Sequence, residues 1–262
     1  MRALSRTGAA ALIPLLFGTA ALAEGYTFTT GAEYTRGDYG TDIDTGSWYV
    51  PFSLGYSAER FAWSVTVPYI RVDGSSLVSG VRSTTLGGRG GGPGQSVTTT
   101  TDVERVDAGL GDVTLSGSYL LQQETPARPW LGLTGKVKLG TADEEKNLGT
   151  GENDYAIQLE AAKGPLDGLI GYNLLGDTAT TDYDNILYAA AAFSLPLQRR
   201  WRVRSELYAE QSPLAGVDPV RELTVTFSRP LSRDRQLSLY AIKGFSDSSP
   251  EWGMGALISS GF

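Results

Sequence analysis

Period-two alternation recurs through this chain in about a dozen segments of roughly ten residues. "FAWSVTVPY", which begins at Phe61, alternates large apolar residues with small or polar ones, and "WLGLTGKVKLG" from Trp130 and "WRVRSELYAE" from Trp201 do the same. Successive strand residues point to opposite faces, so each segment predicts a strand with one apolar face. Soluble strands average about five or six residues, whereas about ten tilted residues cross a bilayer core. The pattern predicts an all-β fold, a transmembrane antiparallel β-barrel of about 12 strands.

The connections between the predicted strands are sorted by length. The strands begin near Tyr26, Gly46, Phe61, Leu110, Trp130, Asp154, Leu169, Asn185, Trp201, Val220, Gln236 and Trp252. Short connections at 58–60, 122–128, 164–168, 196–200 and 230–235 alternate with mostly longer polar ones, of which the Gly-rich stretch 73–109 is the longest. Outer-membrane barrels have short periplasmic turns and long extracellular loops. We therefore expect 73–109 to be an extracellular loop.

The first hairpin offers a test of register. If Glu59 and Arg60 form a two-residue turn, Tyr56 faces Trp63, and every outward residue meets another outward residue, as a register must. A turn longer by an even number of residues would keep the same faces together. The short turn also places Pro51 opposite Pro68. Each proline removes a donor from the ladder, so the pair predicts a bulge or bend in the wall.

The first 23 residues read as an export signal. Arg2 and Arg6 precede an apolar run that ends in Ala21-Leu22-Ala23, and a basic start, an apolar run and an A-x-A site are typical of a secretory signal peptide. An anchoring helix would need a longer run of about 20 apolar residues. We expect cleavage before Glu24, which leaves 24–262 as the barrel.

Composition excludes several functions. The chain has no His and no Cys and a net charge of −7. Catalysis by a histidine base, thiolate chemistry and a disulfide framework are therefore excluded. The acidic balance argues against nucleic acid, whose binders carry basic patches. No motif calls for a cofactor or a resident metal, and we do not expect an enzyme.

The inward face of the predicted strands carries the candidate functional residues. By parity the pore-lining set is Lys136, Lys138, Glu160, Arg202, Arg204, Glu206, Tyr208, Glu210, Glu222 and Tyr240. About twelve strands lie between small filled barrels and wide porins, so the lumen should be narrow, and mixed charges could pair and partly plug it. Because both signs are present, the sequence does not predict whether cations or anions are favoured. Inward tyrosines, with Tyr49 and Tyr188 among them, would suit either stacking on aromatic or sugar solutes or packing inside the barrel.

Aromatic residues gather near both predicted membrane boundaries. We expect Trp63, Trp201 and Phe262 to lie in the girdle at the periplasmic ends of their strands and Trp252 in the girdle at the outer end. Trp130 falls on the opposite parity from the apolar face of its strand. The final strand, "EWGMGALISSGF", would close the barrel with its apolar face toward lipid.

Two polar features have both structural and binding interpretations. Asp112, in "GLGD", could bond to neighbouring loop amides or line the mouth. The acidic stretch 143–154 could hold Ca²⁺ through oxygen ligands, but its spacing matches no calcium-loop motif, and a solvated acidic loop is the simpler interpretation. The run "LGGRGGGPG" lacks the Gly-Lys-Ser/Thr ending of a phosphate loop.

Several stretches resemble one outer-membrane family, named for the meta-cleavage pathway of phenol degradation. They are "YVPFSLGYSAERFAWSVTVPYIRVDG", "GLGDVTLSGSYLL", "KVKLGTADEEKNLGTGENDYAI" and the final "SSGF". The resemblance implies a barrel in the bacterial outer membrane and passage of small organic molecules. It also implies that the barrel assembly machinery reads the strand ending at Phe262. It brings no catalytic residues.

The expected function is an outer-membrane channel for passive passage of small, including aromatic or hydrophobic, organic solutes. Its partners would be outer-membrane lipid, the assembly machinery and the solute. A structural or adhesive barrel with a filled lumen, an outer-membrane enzyme and a secreted soluble β-sandwich are the alternatives.

Overall fold

The computed structural model describes residues 24–74, 78–80, 94–96 and 105–262. The predicted signal peptide, 1–23, lies outside them. The strands are β1 (Gly25–Gly37), β2 (Thr45–Ser57), β3 (Phe61–Gly74), β4 (Val78–Gly80), β5 (Gly94–Ser96), β6 (Arg105–Leu110), β7 (Val113–Gln122), β8 (Trp130–Leu139), β9 (Asp154–Lys163), β10 (Leu166–Leu174), β11 (Ile186–Pro196), β12 (Arg202–Glu210), β13 (Val220–Pro230), β14 (Arg235–Gly244) and β15 (Trp252–Gly261). Single 3₁₀ turns occupy Glu144–Lys146 and Gln198–Arg200. Within the described ranges, no helix is long and apolar enough to span a bilayer.

The wall is a closed antiparallel ring of twelve strands. Each wall strand pairs with its neighbour in the chain, and β15 returns to pair with β1 from Thr27 opposite Gly261 to Arg36 opposite Trp252. The strands β6 and β7 form one wall strand in two pieces, because β6 pairs with the second half of β3 and β7 with the first half. The predicted fold class is confirmed. Closure leaves no unpaired sheet edge to face lipid.

The register of the first hairpin is also as predicted. Tyr56 lies opposite Trp63 and Pro51 opposite Pro68, and the Ala58 N–H donates to the Phe61 carbonyl at 2.8 Å across the two-residue turn. The next wall strand is interrupted at the same level: the break between β6 and β7 falls at 111–112, where the Gly111 N–H donates to the Pro68 carbonyl at 2.9 Å. The irregularity that the prolines predict is therefore this break.

Short and long connections lie at opposite ends of the barrel, which we call the turn end and the loop end. Turn-end connections span 58–60, 123–129, 164–165, 197–201 and 231–234, and the described loop-end connections span 38–44, 140–153, 175–185, 211–219 and 245–251. The predicted turn 164–168 was too long, because β10 already begins at Leu166. The predicted loop 73–109 was also too long: β3 continues to Gly74 and β6 starts at Arg105. Within that loop β4 pairs with β5, and its other residues lie outside the described ranges.

Burial alternates along the wall strands. Large apolar side chains between 37% and 60% exposed cover the outer face, among them Leu54, Leu115, Leu133, Ile157, Leu159, Ile170, Leu187, Leu207, Met254 and Ile258. Water would make such a continuous apolar surface costly, since exposed apolar patches on soluble monomers rarely exceed a few hundred Å². The surface is instead suited to lipid.

Two aromatic clusters lie near the boundaries of this apolar band. At the turn end Phe262 stacks on Tyr26 with ring centroids 5.9 Å apart, and Trp63 meets the same tyrosine edge-on at 6.4 Å. At the loop end Trp252 lies 5.6 Å from Tyr34. Trp201 carries the guanidinium of Arg229 over its ring at 5.7 Å. Their role as membrane girdles remains a prediction.

Trp130 faces the interior. It is buried and packs against Ala162 and Leu120, and its ring lies over Gly132, where a Cβ atom would come within 2.4 Å of the indole. Trp130 therefore differs in parity from the apolar residues of its strand because its side chain points inward.

Candidate functional site

The inner face of the barrel is the candidate site. Of the sequence-predicted lumen residues, seven are at most 7% exposed: Lys136, Lys138, Glu160, Glu206, Tyr208, Glu222 and Tyr240. Arg202, Arg204 and Glu210 are partly buried. Ionisable side chains with so little access to water must be paired or hydrogen-bonded, so the contacts between them decide what the lumen can do.

Arg204 on β12 is the centre of one ionic cluster. Its guanidinium contacts the carboxylates of Asp167 on β10 and Glu206 on its own strand. Ala192 on β11 lies in register between those two carboxylate-bearing residues, and its small side chain lets the arginine bridge them. Arg204 therefore pairs with two carboxylates at once, and all three side chains are largely shielded from water.

A hydrogen-bonded chain runs along the adjoining part of the wall. Lys136 Nζ and Tyr188 Oη both donate to Gln158 Oε1, at 3.1 and 3.2 Å. Gln158 also contacts Glu160, which accepts a bond from Thr134 at 3.1 Å. The chain joins β8, β9 and β11 and satisfies several buried polar groups together, which is the condition for a stable polar interior.

Two inward tyrosine rings lie over glycines of the neighbouring strand. A Cβ on Gly171 would fall 2.1 Å from Cζ of Tyr188, and a Cβ on Gly255 would fall 2.3 Å from Cζ of Tyr240. Each tyrosine is paired in register with its glycine. The rings therefore occupy the space above the glycines and extend along the wall, which is how Tyr188 on β11 reaches Gln158 on β9.

Small hydroxyl side chains form cross-strand pairs on several other parts of the inner face. Cross-strand pairs join Thr29 to Ser259 at 2.9 Å, Ser53 to Thr66 and Ser64 to Ser116 at 2.7 Å, Ser118 to Thr134 at 2.8 Å and Ser228 to Ser238 at 3.0 Å. We call this set the hydroxyl ladder. Serine and threonine are short, so their side chains project less far into the lumen than the long charged side chains do.

A third cluster closes around Lys138 at the loop end. Its Nζ lies 2.8 Å from Asp154 and 3.4 Å from Asp112 and donates to Thr150 Oγ1 at 3.1 Å. Asp112 also accepts the N–H groups of residues 141 and 142, each at 2.9 Å. The interpretation of Asp112 as a partner of loop amides is confirmed.

The acidic stretch 143–154 divides into two parts. Asp154 is buried in β9 and belongs to the lysine cluster, whereas Asp143, Glu144 and Glu145 are exposed. A hydrogen bond from Lys146, whose Nζ lies 3.0 Å away, lowers the pKa of Asp143. Among the described residues, no group of three or more His, Cys, Asp or Glu side chains converges as a metal site would require.

Sequence reasoning missed two members of these clusters. Gln158 lies on the same face of its strand as Glu160 in "DYAIQLEAAK", so the alternation already placed it in the lumen. It was overlooked because its side chain is uncharged. Asp167 was assigned to a turn, and its inward position follows only once β10 begins at Leu166.

An antiparallel ring with an apolar exterior and a polar interior defines the class: the chain has the fold of transmembrane β-barrels of the outer-membrane type. The sequence matches the family described as "Putative MetA-pathway of phenol degradation" over residues 23–259, and the chain belongs to that family. No curated protein matches the sequence.

Solved structures with the same fold share little sequence. The COG4313 outer membrane channel from Pseudomonas putida F1 has a TM-score of 0.67 and 15% identity, over 94% of this chain and 98% of that one. The translocator domain of the autotransporter NalP from Neisseria meningitidis has a TM-score of 0.51 and 12% identity, over 94% and 91%. At these identities the likeness establishes the fold.

Proposed function

We propose that this protein is an outer-membrane channel through which small organic solutes, aromatic ones included, pass down their gradients. The observation that carries the proposal is the two-faced wall: the closed ring has an apolar exterior and an interior of paired charges, tyrosines and hydroxyls. Such an interior is costly to build unless water or polar solutes use it. The Pseudomonas relative, described as an outer membrane channel, and the family's link to phenol degradation support the choice.

The inward residues then have distinct roles. Arg202, Arg204, Glu206, Glu222 and Lys136 set the electrostatic field felt by a passing solute. Tyrosine faces offer apolar contact to an aromatic ring, and the hydroxyl ladder gives a weakly binding polar path beside it. Weak contacts at several places are what conduction needs, because a solute must leave as easily as it enters.

A structural barrel with a filled lumen is the second candidate. The very low exposure of Glu222, Gln158 and Tyr188, at 1–2%, favours it. The two functions differ in one measurable property, because only a channel gives current steps from folded protein in a planar bilayer.

The test is single-channel recording of refolded residues 24–262. Ser118→Trp places an indole on the hydroxyl ladder, whereas Tyr119→Trp places one on the exposed outer face. We expect discrete steps from wild type, smaller steps from Ser118→Trp and unchanged steps from Tyr119→Trp. Block by phenolics, sugars or organic acids would then identify the solute. A silent bilayer from folded wild-type barrel would favour the filled lumen.

The proposed partners follow from the outer face. Outer-membrane lipid would cover the apolar band, with Trp63, Trp201, Trp252 and Phe262 at its boundaries. We propose that the barrel assembly machinery recognises the last strand through Phe262, whose side chain is 76% exposed.

A further inference from the structure

We propose that the loop 140–153 folds into the loop end of the barrel as a constriction that sets the size of solute admitted, and that Leu148 and Asp112 hold it there. The inference rests on the proposed channel function. The longest predicted loop, 73–109, lies mostly outside the described residues, and the contacts of the described residues point to the loop 140–153.

The first support is the burial of the loop's apolar residues. Leu148 is 1% exposed and Ala142 is 9% exposed, although both belong to a loop with four consecutive charged residues. They pack in one cluster with Tyr39, from the loop 38–44, and with Ile70 and Val72 on the inner face of β3. The loop starts from β8, so its apolar residues reach over β6 to land on β3.

The backbone around this cluster is shaped to admit the loop. A Cβ on Gly109 of β6 would come within 2.8 Å of a Leu148 methyl group, and a Cβ on Gly149 would come within 2.7 Å of the Asp112 carboxylate. Larger side chains at these two positions would displace the loop. The two glycines and the burial of Leu148 therefore both indicate that the loop packs closely against β6 and Asp112.

The second support is the anchoring of both arms of the loop. Asp112 accepts the two N–H groups at 141 and 142, and the Thr141 hydroxyl accepts the Val113 N–H at 3.0 Å. On the other arm, Thr150 accepts a bond from Lys138. These contacts hold the loop against the break between β6 and β7. At that break the Asp112 side chain, rather than a strand backbone, accepts the hydrogen bonds of the loop.

The third support is a difference in exposure between the two ends. Inward side chains at the loop end are almost inaccessible: Thr45 and Asn173 are 0% exposed, Ser47 1% and Ile186 3%. Inward side chains near the turn end are partly exposed on several strands, namely Ser57, Ser116, Ser118, Ser194, Arg202 and Ser228. Four other inward side chains near the turn end are buried as well: Ala62, Trp130, Ala162 and Gln236. Low exposure thus extends over most strands at the loop end and over only some at the turn end, which favours a narrower lumen at the loop end, where the loop 140–153 lies.

The test measures loop opening and permeation separately. The chain has no cysteine, so the thiol introduced by Ala142→Cys is unique, and its labelling rate with a small methanethiosulfonate reagent reports how often the loop lifts. Into this background we would place Leu148→Ala, Asp112→Ala and, as a matched control in the same loop, Lys146→Gln, whose side chain is exposed. Heat-dependent gel migration would verify that each barrel is folded.

We expect Leu148→Ala and Asp112→Ala each to raise the labelling rate about tenfold, as the loss of a buried anchor predicts, and to admit larger solutes in bilayer and liposome-swelling assays. Lys146→Gln should change neither. Unchanged labelling in folded variants would overturn the inference. Faster labelling with unchanged permeation through a conducting wild type would also overturn it, while the channel function would stand. Silence of every folded variant, loosened ones included, would overturn the channel function and this inference with it.

Discussion

Replacing Gly171 by alanine tests whether the tyrosine that lies over it is as closely packed as the structure indicates. The new Cβ would lie 2.1 Å from Cζ and 2.3 Å from Oη of Tyr188, so the ring must leave the wall and its bond to Gln158 must break. Overpacking costs about 1–3 kcal/mol and the lost hydrogen bond about 1 kcal/mol. Alanine returns about 0.5–1 kcal/mol of strand propensity. We expect a net loss of roughly 2–3 kcal/mol.

The assay is urea unfolding of the barrel in lipid vesicles, followed by tryptophan fluorescence. Gly117→Ala is the matched control, because nothing lies within 4 Å of its Cβ position, and it should be neutral or stabilising by up to about 1 kcal/mol. Adding Tyr188→Ala should abolish most of the penalty at Gly171, since the two residues share one contact. Equal stabilities for the two glycine variants would refute the packing argument.

Further predictions concern the two faces and the end of the wall. Ile157→Arg, on the outer face near mid-strand, should cost about 2–4 kcal/mol in the vesicle unfolding assay, and Tyr155→Arg, near the strand end, at most about 1 kcal/mol. Arg204→Gln removes a lumen cation and should shift the reversal potential in a KCl gradient toward cation selectivity, whereas Glu206→Gln should shift it toward anions; no shift from either would remove these residues from the conduction path. Phe262→Ala should lower the amount of heat-modifiable barrel in the outer membrane of intact cells while refolding in detergent stays normal, and equal losses in both would indicate a folding defect instead.

The wall of this barrel could be predicted because its physics is local. Period two follows from strand geometry, and the requirement that Tyr56 and Trp63 both face lipid fixes the register of the hairpin between them. On the last strand the same alternation leaves Trp252 exposed on the outer face and Leu257 buried on the inner face. Closure then followed from the need to satisfy the edges.

The irregular parts could not be predicted in this way. The break at 111–112 faces Pro68 on the adjacent strand, and the inward position of Asp167 depends on a two-residue turn whose length the sequence does not specify. The packing of Leu148 on Ile70 joins residues that are far apart in the chain. Parity describes one strand at a time and contains no information about such contacts.

The contacts between lumen side chains could not be predicted from parity either, and the structure indicates why. Two of the lumen contacts span two strands, with a small residue between the partners: Arg204 reaches Asp167 past Ala192, and Tyr188 reaches Gln158 above Gly171. A small inward residue is therefore part of the contact, because it provides the space through which its neighbours on either side reach each other. A sequence shows such a residue only as a gap in the pattern. The lumen of a related barrel should then be interpreted from its inward glycines and alanines together with the long side chains on the strands that flank them.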